Sequence, residues 1–161
     1  MFVVKVPGIN GEKSHGCERA GNAIIESLRE IYSNEQGIPI DVDLLDLEEI
    51  HLDNSNLKLT NELIYENSLE TFETKPKTIF LGGDHSITYS IAKAFLDNCK
   101  NNQRDSQVRS SSSVNSQTKE ACLIVFDSHP DCKETKEKIP DNREWLRKLI
   151  EEGFPKQNIL L

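Results

Sequence analysis

Residues 77–98 read KTIFLGGDHSITYSIAKAFLDN. The apolar run from Lys77 to Leu81 is long enough for a buried strand and too short for a helix. Gly82 and Gly83 then supply a tight turn with freedom at positive φ. Asp84 or Ser86 stands where a helix N-cap is expected, and SITYSIAKAFLDN continues as a helix to Asn98. Strand, glycine turn and helix in this order form the unit of an α/β sheet, which gathers its chemistry at strand ends. His85 falls at such an end.

A second strand of the same kind, CLIVF (122–126), leads into DSHPD (127–131). Asp127, His129 and Asp131 alternate with period two, and an extended backbone turns alternate side chains to one side, so three ligands are expected to face one point. Carboxylate and imidazole donors without a thiolate favour a borderline-hard divalent ion such as Mn over a structural Zn held by cysteines. A carboxylate can also bridge two ions. At a pair about 3.5–4 Å apart the usual task is to turn water into hydroxide at neutral pH and to steady charge developing on the attacked group. The plainer alternative is that Asp and His after a strand cap a turn or the next helix. The two runs taken together are less easily read that way.

Working outward, FVVKV (2–6) is a first strand, and ERAGNAIIESLREIYS (18–33) is a helix with Ala23, Ile24, Leu28 and Ile31 at helical spacing. IPIDVDLLDL (38–47) is a second strand with Asp41 and Asp43 on its polar side, and Thr60 or Asn61 caps a helix ELIYENSLETFE (62–73). NREWLRKLIEEG (142–153) is a last helix and NILL (158–161) a last strand. This alternation predicts one three-layer α/β/α domain over residues 1–161, its mainly parallel sheet covered by helices on both faces. Residues from about 100 to 119, including Ser110 to Ser113, carry almost no apolar content. They are expected to form a disordered polar insertion, because they cannot offset the entropy of ordering themselves. A phosphorylation or docking role for the serines is the alternative. Asp46, Glu48 and Glu49 near His51 and Asp53 are read as a solvated loop rather than a metal cluster. His15, in the loop Gly8 to Gly16 that opens at the same sheet edge as the motifs, is a candidate for substrate contact or a plain surface histidine.

With 161 residues, 36% hydrophobic and 29% charged, the chain is one ordinary domain with room for a core. Its longest apolar runs are about five residues, far short of the roughly 20 of a transmembrane helix. The start MFVVKVPG lacks a signal peptide's basic opening and apolar core, so the expected location is cytoplasmic and no membrane partner is expected. A net charge of −8 argues against nucleic acid. Cys17, Cys99, Cys122 and Cys132 have no CxxC spacing and are expected to be reduced. Cys132, beside Asp131, is read as a strand-end filler, with an approach to the metals as the alternative.

GGDHS at 82–86 and DSHPD at 127–131 resemble, in the same chain order, the first two metal motifs of the ureohydrolase family: arginases, agmatinases and formiminoglutamases. The resemblance extends to FVVKVP and GCERAGNAI and covers most of the chain. It implies an arginase/deacetylase-like fold and a pair of Mn ions. By resemblance, His85 is the lone histidine on one ion, Asp127 bridges both, His129 binds the second and Asp131 binds the first. It also implies hydrolysis of guanidino C–N bonds in a small linear amidine, and assembly as trimers or hexamers. Three departures accompany it. The family's Ser-x-Asp-x-Asp-x-x-Asp-Pro motif is not reached before Leu161, so the domain reads as C-terminally truncated. No histidine follows His129, where arginases carry one that is thought to move protons, and no catalytic residue is singled out. Cys132 and Lys133 stand where arginases place an Asn that grips the amino-acid end of the substrate, which makes arginine a poor fit. The expected function is therefore a binuclear manganese hydrolase of linear amidines, while the 161-residue chain by itself is expected to hold one ion, or to hold it weakly, and to be inactive. The alternative is a truncated or divergent non-catalytic member binding at most one metal.

Overall fold

The computed structural model describes residues 1–109, 120–135 and 137–161. Strand β1 (Phe2–Val6) lies between β2 (Asp46–Glu49) and β3 (Thr78–Gly82), parallel to both, with Val4 opposite Glu48 and Phe80. A second parallel ladder joins β4 (Leu123–Ile124) to β5 (Ile159–Leu160). The helices are α1 (Ala20–Arg29), α2 (Leu57–Thr74), α3 (Ile87–Arg109) and α4 (Trp145–Glu151).

Strand periodicity sends Phe2, Val4 and Val6 to one face, where they pack with Ile64 of α2 and Ile87 of α3. Val3, on the opposite face, is also buried. There α1 approaches through Gly21, where a Cβ would lie 3.2 Å from Lys5 Cγ and 3.3 Å from the carbonyl oxygen of Leu81. Helices thus cover both faces of β1, as the three-layer reading requires. A second core joins Tyr89, Ala92 and Leu96 of α3 to Trp145, Leu146 and Leu149 of α4, with Leu123, Val125 and Ile159 packed against it.

Several local expectations change. The stretch expected as a strand over 38–47 enters β2 only at Asp46, because Asp41 accepts the amide of Asp43 at 3.0 Å and starts a tight turn over Val42–Leu44. The acidic run at Asp46, Glu48 and Glu49 is consequently strand rather than loop, with Glu49 paired to Lys5 and Asp46 to Lys75. Helix α2 starts before Thr60: Asn56 is its cap, accepting from the Leu59 amide at 3.2 Å, while the Thr60 hydroxyl donates to the carbonyl of Asp53. Helix α1 buries Gly21 and Ile25 and leaves Ile24 exposed. Helix α3 runs past Asn98 to Arg109; residues 110–119 of the expected polar insertion lie outside the described residues. Among the described residues no hydrogen-bonded ladder joins β3 to β4, and no helix is long and apolar enough to cross a membrane. None of the four cysteines forms a disulfide.

Candidate metal centre

The carboxyl end of β3 delivers Gly82, Gly83, Asp84 and His85. A Cβ on Gly83 would lie 2.0 Å from the carbonyl oxygen of Gly8. Neither Gly82 nor Gly83 has a positive φ. The expected conformational freedom is therefore not the reason for this pair; close packing against Gly8 and Ile87 is. Asp84 is buried and ties down the loop that follows β1, Oδ2 accepting from the amides of Asn10 at 2.9 Å and Gly11 at 2.7 Å. Burial disfavours its charge, but hydrogen bonds from Ser86, Ser14 and the Asn10 amide outweigh it and hold the carboxyl below its ordinary range.

His85 projects next to two carboxylates from the segment after β4. Its Nδ1 is 2.7 Å from Asp131 Oδ2 and 3.2 Å from Asp127 Oδ2, and the ligand atoms of His85, Asp127 and Asp131 all lie within 4.8 Å of one another. Separations near 3 Å match neighbouring ligands of an octahedral ion with bonds of about 2.1 Å. One imidazole nitrogen and two carboxylates fit a borderline-hard divalent cation. The backbone N–H of His129 donates to Asp127 Oδ1 at 2.9 Å. That bond, aided by the nearby rings of His85 and His129 and opposed by desolvation, keeps Asp127 below the ordinary carboxyl range.

The DSHPD run does not bring its three side chains together by simple alternation. It is a loop that bends at Ser128 and His129, and Asp131 takes φ 42, in the left-handed region. Asp tolerates that region better than most residues. The turn lets Asp127 and Asp131 meet His85 while His129 points outward, its side chain 77% exposed. His129 Nδ1 lies 3.0 Å from Ser128 Oγ and 3.6 Å from Asp127 Oδ1. His129 is outside the three-residue group.

The group opens into a cleft of about 970 Å³, whose lining includes Phe126, Cys132, Lys133, Asn142 and Arg143. His15 is exposed and is not among the lining residues. Cys132 is exposed in the cleft wall rather than packed as a filler. Trp145 escaped the sequence reading: its indole N–H donates to Asp131 Oδ2 at 3.0 Å. A lone tryptophan on the apolar face of an amphipathic helix reads as core, and only the fold reveals its second contact.

Parallel strands covered by helices, with two acids and a histidine converging from the ends of β3 and β4, define the class as an α/β protein with a metal-type site at its strand ends. The Arginase family model matches residues 1–161, and the chain belongs to the arginase (ureohydrolase) family. It is similar in fold to formimidoylglutamase from Bacillus subtilis, with 24% identity and a TM-score of 0.71, covering 98% of this chain and 46% of that one. Formiminoglutamase from Trypanosoma cruzi with Mn²⁺ matches at 15% identity and a TM-score of 0.66, covering 98% and 50%. Proclavaminate amidino hydrolase from Streptomyces clavuligerus matches at 15% identity and a TM-score of 0.70, covering 98% and 48%. The chain thus spans about half the length of these structures. Among curated protein sequences none matches.

Proposed function

We propose that this protein is a cytoplasmic manganese-dependent hydrolase cleaving the C–N bond of a small linear amidine, with His85, Asp127, His129 and Asp131 as its ion ligands. The observation that carries the reading is the convergence of His85, Asp127 and Asp131 within 4.8 Å from two strand ends far apart in sequence. Asp127 suits a bridging role, since Oδ2 faces His85 at 3.2 Å and Oδ1 faces His129 at 3.6 Å. Bound ions would activate water at neutral pH and stabilise charge developing on the attacked amidine group. Asp127, held below the ordinary carboxyl range, stays ionised for that task. Asp84 fixes the loop beside the ligands through the Asn10 and Gly11 amides. Asn142 and Arg143 line the cleft that would orient the substrate. Cys132 and Lys133 in the wall turn the choice away from arginine and toward other guanidino or formimino compounds. The polar stretch of about 100–119 is proposed to be an inert surface insertion, and the assembly a homo-oligomer.

A second reading, a non-catalytic member binding at most one ion, draws on the outward placement of His129. It predicts that the 161-residue chain takes up no more than one ion and shows no turnover. Elemental analysis, followed by urea or ammonia release from agmatine, arginine, formiminoglutamate and 4-guanidinobutyrate with added Mn, separates the two. Metal-dependent release from any of them supports the hydrolase. At most one bound ion without release from this chain supports the second reading, and a metal-free protein contradicts the hydrolase.

A further inference from the structure

Trp145 is the single tryptophan of the chain and is 1% exposed, in the core between α3 and α4. It touches two of the three grouped ligand residues. Its indole Nε1 donates to Asp131 Oδ2 at 3.0 Å, and its ring lies against the His85 ring, centroids 4.8 Å apart and planes tilted by 55°. The next residue extends the hold: the amide of Leu146 donates to the backbone carbonyl of Asp131 at 3.3 Å. Asp131 is thus clamped at side chain and backbone by the first two residues of α4, while its own backbone sits at φ 42. A left-handed aspartate persists where surrounding contacts determine it.

We propose that Trp145 is a positioning residue for the cation: it fixes the Asp131 carboxylate and the His85 ring in their ligating orientations. This rests on the metal reading above. An indole N–H is a donor only and cannot ligate an ion, so any effect of Trp145 on a cation passes through Asp131 and His85. Of the two side chains on Asp131 Oδ2 among the described residues, His85 is itself a ligand candidate. Trp145 is the other, and its contact does not compete for the ion. An outer hydrogen bond of this kind orients a ligating carboxylate, and its loss typically lowers metal affinity by about 10- to 100-fold.

The test compares Trp145→Phe, which keeps an aromatic ring and removes the N–H, with Leu149→Ala. Leu149 is buried in the same core and belongs to neither the ligand group nor the cleft wall. Mn affinity is read by calorimetry and stability by thermal unfolding without metal. The expected result is a loss of about 10- to 100-fold in Mn affinity for Trp145→Phe, and wild-type affinity for Leu149→Ala despite its lower melting temperature. Unchanged affinity in Trp145→Phe would overturn the inference, as would affinity falling with stability in both variants. A second measurement needs no variant: the one tryptophan gives one indole N–H resonance, which substoichiometric paramagnetic Mn should broaden together with the amides of the ligand segments. An indole signal untouched by bound Mn would overturn the inference alone. Failure of the wild type to bind Mn at all would overturn the metal reading and this inference with it.

Discussion

A β-carbon at Gly83 would lie 2.0 Å from the Gly8 carbonyl oxygen, a backbone atom of the loop that follows β1. At Gly82 the nearest atom, 2.1 Å away, is the tip of the Ile87 side chain, which can rotate. Gly83→Ala is therefore expected to destabilise the fold by about 3 kcal/mol and Gly82→Ala by closer to ~1 kcal/mol, the two ends of the overpacking range. Urea unfolding of both variants checks this, and equal losses would mean that the loop after β1 yields as easily as a side chain. The residue pattern GGDH was plain in the sequence, but its reason was not. Positive φ is a property a single glycine can suggest; contact with a residue 75 positions away is one that only the folded backbone supplies. Asp131 shows the same gap: its spacing from Asp127 was legible, whereas the left-handed turn that points it at His85 was not.

At the scale of elements, α2 depends on Asn56, whose side chain accepts from the Leu59 amide. Replacing this cap by Ala should cost about 1 kcal/mol, measurable as a lowered urea midpoint. A stability unchanged by Asn56→Ala would return the helix start to Thr60 or Asn61. Helices α3 and α4 are tied by Glu152, at the end of α4, which accepts from Tyr89 at 2.7 Å and Lys93 at 2.6 Å. Burial opposes its charge, yet these partners and Lys148 hold the Glu152 carboxyl below its ordinary range. Because the folded-state value lies below the unfolded one, the stabilisation is fully present above the ordinary glutamate range and is lost as pH falls through the lowered value. Melting temperatures from pH 7 downward should decline less steeply for Glu152→Gln than for the wild type, and parallel curves would count against this tie. The type and order of the elements were legible because apolar runs and helical spacing are strong along most of the chain. Boundaries were less so where polar side chains compete with the backbone: Asp41 turns the stretch before β2, and the Asp53–Asn56 segment brings α2 forward by a turn.

Across the whole molecule, the cores flanking β1 and joining α3 to α4 hold two strand ends so that one histidine from the first meets two aspartates from the second. Membership of the family was legible in GGDHS and DSHPD, because donor chemistry and chain order are local. The exposure of His129, the absence of His15 from the cleft wall and the indole bond to Asp131 depend on how distant segments meet, which spacing does not encode. The central claim is that Asp127, facing both histidines, is a ligand of the bound divalent metal. Calorimetric titration of Mn into the wild type and Asp127→Ala tests it most directly. Saturable binding by the wild type that Asp127→Ala largely abolishes is the predicted result; no uptake by the wild type, or equal uptake by Asp127→Ala, would contradict it.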